Sequence, residues 1–107
     1  MINKYNKEDI QNLSNSEIER LAILTEECGE VQQIIGKILR HGYESYSPID
    51  ESKTTNRELL EKELGDIKWI SELMIKNGDI DKDKIYKRTL DKGTNINNNF
   101  LHYNEKI

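Results

Sequence analysis

Hydrophobic positions recur along this chain at a helical period in two long stretches, with a shorter third behind them. With Glu27 set at zero and roughly 100° per residue, Ile23, Leu24, Cys28, Val31, Ile34, Ile35, Ile38 and Leu39 fall in one arc from roughly −40° to +120°. With Glu63 at zero, Leu59, Leu60, Leu64, Ile67, Ile70, Leu73 and Met74 span roughly −80° to +100°. Ser14-Asn15-Ser16-Glu17 matches a capping box, so the first helix is predicted from about residue 15 to about Arg40, with His41-Gly42 as its stop. Thr55-Asn56-Arg57-Glu58 repeats that pattern and opens a second helix to about Lys76, ended by Asn77-Gly78. Asp79 or Asp81 caps a third, expected through about Leu90 and ending near Gly93.

The remaining segments read less regularly. Residues 1–13 are polar with scattered Tyr5, Ile10 and Leu13, enough for a short docking helix. Residues 43–54 carry Pro48, the sole proline, and no helical period, so they are expected to form a loop. Within it Tyr43 and Tyr46 can either stack on something flat or pack the loop down. Residues 94–107 are Asn-rich and expected to be loose unless Phe100, Leu101 and Tyr103 dock on the body or on a partner subunit. The fold class expected is all-α, an antiparallel bundle of two long helices with shorter flanking helices. One domain covers 1–93, with a polar tail over 94–107 and oligomerisation completing the bundle.

The hydrophobic arcs contain residues that do not belong there. Glu27 lies inside the first and Glu30 on its edge, while Glu63 and Asp66 both lie within the second. Acids are seldom buried unless paired, and an uncompensated buried charge is costly. The arcs supply few cations, Arg20 on the first and none on the second. A divalent cation fits better, and all-oxygen ligands favour a hard one, Mg²⁺ or Mn²⁺. The plainer reading, acids at the rim of two amphipathic helices that serve only as an interaction module, remains open from the residues alone. A di-iron carboxylate bundle does not fit, because neither acid pair is followed by histidine at the Glu-x-x-His spacing. Gly29 and Gly65 sit at matching places in the two helices, pointing away from the acids, where another backbone could approach closely.

Composition narrows the picture further. With 107 residues the core is modest, which favours association with a second copy. A net charge of −4 speaks against non-specific nucleic-acid binding. No run approaches the roughly 18 apolar residues of a membrane span, and Met1 to Asn6 lacks the apolar stretch of a signal peptide, so a cytoplasmic location is expected. The single Cys28 has no partner for an internal disulfide and by its angle is expected in the core.

Glu26-Glu27-Cys28-Gly29-Glu30 followed by Glu63-Leu64-Gly65-Asp66 resembles the Glu-Glu-x-x-Glu and Glu-x-x-Asp pattern of the all-α nucleoside triphosphate pyrophosphohydrolases of the MazG type. Lys37-Ile38-Leu39-Arg40-His41-Gly42 is similar to the small phage members, and the likeness spans roughly residues 17 to 92; a phage-encoded protein would work in the host cytoplasm. The resemblance implies Glu27, Glu30, Glu63 and Asp66 as metal ligands, with Glu26 orienting water or a ligand. It implies phosphate-holding roles for Lys84 and Arg88, although the asparagine often found two residues before the lysine is Lys82 here. Lys37, on the Glu30 side of the first helix, is a further phosphate candidate. The implied reaction converts a nucleoside triphosphate to the monophosphate and pyrophosphate with Mg²⁺. Glu26 or Glu30 would take the proton of the attacking water, within a homodimer or homotetramer.

Overall fold

The computed structural model describes residues 12–99, and these form three helices. They are α1 (Asn15–His41), α2 (Asn56–Lys76) and α3 (Lys82–Asn99), with no strand among the described residues. The expectations for the first eleven residues and for Phe100, Leu101 and Tyr103 fall outside the described residues. The chain divides into two compact units, one running to Met74 and the other starting at Ile75.

Both capping boxes form. The Ser14 amide donates to Glu17 Oε1 at 3.0 Å and the Glu17 amide returns a bond to Ser14 Oγ at 3.1 Å. At α2 the Glu58 amide donates to Thr55 Oγ1 at 3.2 Å, and the Thr55 amide donates to Glu58 Oε1 at 3.4 Å. These bonds satisfy amides that a helix start leaves without internal partners. Gly42, with φ of 88°, ends α1 in a conformation only glycine adopts cheaply.

In the first unit α1 and α2 run antiparallel as a hairpin. The start of α2 is tied to the loop residues just past α1 by backbone bonds from Asn56 to Ser45 O (2.9 Å) and from Arg57 to Tyr43 O (2.9 Å). The Asn56 side chain adds a bond to Gly42 O at 3.1 Å. Residues 43–55 are therefore anchored at both ends, with an isolated antiparallel bridge between Tyr46 and Thr55. Asp50 builds the turn inside, accepting from the amides of Ser52 (3.0 Å) and Thr54 (3.1 Å) and from the Ser52 hydroxyl (2.7 Å).

The helices cover less of each other than the width of their arcs suggests. Ile34 on α1 and Ile70 and Met74 on α2 are buried, all close to the angles of Glu27 and Glu63. The outer half of the α1 arc is open: Cys28, expected in the core, is exposed, and so are Ile35 and Leu39. The physical reason is width. One facing helix shields a narrower sector than the roughly 160° this arc spans, so residues about 80° or more from its midline stay uncovered. Leu64 on α2 is open for the same reason. A Cβ added at Gly29 or Gly65 would meet nothing within 4 Å, so the close backbone approach expected at these glycines does not occur among the described residues.

In the second unit Asp81 caps α3, its Oδ1 accepting from the Asp83 amide at 2.8 Å and the Lys84 amide at 3.3 Å. The helix does not stop near Gly93 as expected; it continues to Asn99. A glycine ends a helix by turning to positive φ, as Gly42 and Gly78 do, and Gly93 does not.

Candidate metal centre

Midway along the α1–α2 pair, Glu27, Glu30, Glu63 and Asp66 each offer a carboxylate oxygen, and the four atoms lie within 4.8 Å of one another. Helical spacing brings each pair onto one face, and the hairpin brings the two faces together. The cluster sits on the midline of the covered sector, so these carboxylates are partly withdrawn from water. Glu63 is 8% exposed, and Oε2 of Glu27 and Oε2 of Glu63 are buried without a hydrogen-bond partner.

Polar atoms in such a position are rarely left unsatisfied. Four carboxylates facing each other with two orphaned oxygens form a donor set suited to a hard divalent cation. One cation side chain that reaches the cluster is Lys62, whose Nζ lies 3.4 Å from Glu63 Oε1 and 3.7 Å from Asp66 Oδ2. Lys62 escapes a wheel reading because it projects off the apolar arc. Its long stem carries the ammonium back to the acids, and the only signal for it is the four-residue spacing to Asp66.

The protonation pattern follows from this crowding. Glu27 is pushed up from the usual 4.5 to about 7, first by burial, then by the facing Glu63 carboxylate and the charges of Glu30 and Asp66. Glu30 is also raised, chiefly by its hydrogen bonding with Glu63 and next by burial. Glu63 moves the other way, held low first by the hydrogen bond with Glu30 and further by Lys62. Without metal, then, crowding favours the protonated form of Glu27 and Glu30, and Glu63, which Lys62 faces, holds its charge most readily.

The other sequence candidates lie elsewhere. Glu26 is exposed and outside the four-carboxylate set, though its charge contributes to raising Glu30. Lys37 lines a cavity at the loop end of the hairpin. Lys84 and Arg88 belong to the second unit, where they line an open cleft of about 1140 Å³ with Ile80 and Ile85. No helix among the described residues is long and apolar enough to cross a membrane.

No curated protein and no solved structure matches the chain. The MazG nucleotide pyrophosphohydrolase domain matches residues 15–100. That span contains both helices of the carboxylate cluster, and the chain belongs to the MazG nucleotide pyrophosphohydrolase family.

Proposed function

We propose that the protein hydrolyses a nucleoside or deoxynucleoside triphosphate to the monophosphate and pyrophosphate, with Mg²⁺ or Mn²⁺ held by Glu27, Glu30, Glu63 and Asp66. The observation that carries this reading is the pair of buried, unpartnered oxygens on Glu27 and Glu63 inside a four-carboxylate cluster. When bound, the metal supplies charge neutralisation for the phosphates and acidifies water. The ligand carboxylates exclude bulk water from one side of the site and fix the ion's position.

Glu26, exposed and close enough to Glu30 to influence its charge, is free to take a proton. As water oxygen bonds to phosphorus and the anhydride P–O bond breaks, the water proton passes to the Glu26 carboxylate and pyrophosphate leaves. Lys37, in the same unit as the cluster, holds phosphate oxygens. Assembly into a homodimer or homotetramer covers the open stripe of Leu21, Cys28, Ile35 and Leu39 on α1, which repeats at heptad-like spacing. Light scattering should give a mass at least twice 12.6 kDa.

The test is pyrophosphate release from a panel of standard and modified triphosphates with Mg²⁺. Release from at least one, abolished by EDTA, is the expected result. No release from any would leave the cluster without the proposed chemistry.

A further inference from the structure

Lys62 stands on α2 between two acids at the four-residue spacing, Glu58 before it and Asp66 after it. Side chains on a helix lean toward its start, and an acid that precedes its lysine by four residues makes the better pair of the two orders. Local helix physics therefore sends this ammonium toward Glu58. It goes the other way. Glu58 is taken up by the Thr55 amide and hydroxyl in the capping box, and the Lys62 ammonium lies 3.4 Å from Glu63 Oε1 and 3.7 Å from Asp66 Oδ2.

What draws it is the carboxylate cluster. The Lys62 side chain is 66% exposed against 10% for that of Glu63, so the ammonium reaches from solvent onto the outer edge of partly desolvated acids. The two oxygens of Glu63 are then in different surroundings. Oε1 faces Lys62, whereas Oε2 is buried without a partner, as is Oε2 of Glu27. The outer edge of the cluster already holds a cation, and the inner one lacks it.

We propose that Lys62 is a resident second cation of this centre, so that the four carboxylates take one divalent ion per chain and the ammonium keeps another from the Glu63–Asp66 edge. The inference rests on the metal reading above and deepens it. Charge counting favours it: four carboxylates carry at most four negative charges, of which one divalent ion and one ammonium return three. Two divalent ions beside the ammonium would overshoot. Sites that act on phosphates often clamp them between two metal ions, and here one of those places is filled by a charge that cannot dissociate from the chain. With donors directed at Glu63 and Asp66, the ammonium keeps a third N–H for an anion arriving from solvent.

The experiment counts Mn²⁺ bound to the full chain by electron paramagnetic resonance of the free ion, in the wild type, Lys62→Met and Lys62→Arg. The wild type and Lys62→Arg should saturate at one ion. Lys62→Met, which keeps the stem and loses the charge, should bind its first ion about tenfold more tightly and take a second, since a unit charge close to a divalent one is worth that much even in a water-like dielectric. Two ions on the wild type or on Lys62→Arg, or a Lys62→Met that stops at one, overturns the role of Lys62 and leaves the metal centre standing. No Mn²⁺ on any of the three overturns both.

Melting in EDTA reads the same residue without metal. Lys, Met and Arg have nearly equal helix propensity, so a difference between the variants reports the charge. Lys62→Met should melt lower than the wild type by about 2 °C, the scale of an exposed ion pair in a chain of this length, and Lys62→Arg should melt with the wild type. A Lys62→Met that melts at the same temperature or higher contradicts an ammonium seated on the acids.

Discussion

Asp50 and Glu27 are both partly shielded acids of the same hairpin, and they are shifted in opposite directions. Asp50 is held below the usual carboxylate range, first by the Ser52 hydroxyl and then by the amides of Thr54 and Ser52. Glu27 is raised to about 7 because burial and neighbouring acids give its charge nothing to rest on. An acid that the protein satisfies with its own donors is a building element. One left with a buried oxygen unpartnered among three other acids is poised for something the chain does not contain. Fold and the proposed chemistry are thus divided between two acidic positions about four helical turns and part of a loop apart along the chain.

The largest effect expected from this contrast is on turnover. Glu27→Gln and Glu63→Gln should each lower triphosphate hydrolysis at least about a hundredfold with helical content intact, since each removes a proposed metal ligand. Asp50→Asn should leave the rate within a few-fold and lower the melting temperature instead. Steady-state kinetics beside circular dichroism decides it; near-normal rates in both glutamate variants would break the distinction.

Next in size is the thermal response to metal. At about one hundred times the dissociation constant, Mg²⁺ should stabilise the wild type by about 2.7 kcal/mol, on the order of 10 °C in melting temperature for a chain this long. Asp50→Asn should keep that gain, and Glu27→Gln should lose most of it. Calorimetry in Mg²⁺ and in EDTA reads both.

A smaller effect is the pH dependence of the metal-free protein. Glu27 titrates near 7 in the fold and near 4.5 when unfolded, so between those values the native state binds the extra proton and stability falls as pH rises. The raised Glu30 adds in the same sense. The lowered Glu63 and Asp50 contribute stability that is present above their unfolded values and lost only on acidification through their folded ones. Melting temperature in EDTA should therefore decline between about pH 4.5 and pH 7, and Glu27→Gln should flatten the decline. A wild-type curve that rises across this window would contradict the crowding.

The smallest effect concerns Gly65. Its Cβ position is open within the chain, so Gly65→Ala should raise stability by about 1 kcal/mol from helix propensity alone. A loss of stability together with a lower mass by light scattering would instead place a partner subunit's backbone there.

Much of this was readable beforehand, for local reasons. Ser14 with Glu17 and Thr55 with Glu58 announce both helix starts because a capping box is complete within four residues. The four acids stand out because each is misplaced on its own helix, whatever the neighbour. What depends on the neighbour was not readable. Cys28, Ile35 and Leu39 are as apolar as Ile34, and only the reach of one facing helix leaves them open. Lys62 is found by tracing its stem, and the loop cavity exists only once α1, the loop and α2 are assembled. Gly93 reads as a stop by identity, yet it keeps helical dihedrals.

The most direct test of the central claim is paramagnetic broadening by Mn²⁺, followed across the amide spectrum at well below one ion per chain. The carboxylate cluster predicts selective loss of the signals of residues 26–31 and 62–67, with residues 50–54 still sharp and the effect absent in Glu27→Gln. Broadening centred on Asp50, or spread evenly over the acidic surface, would contradict it.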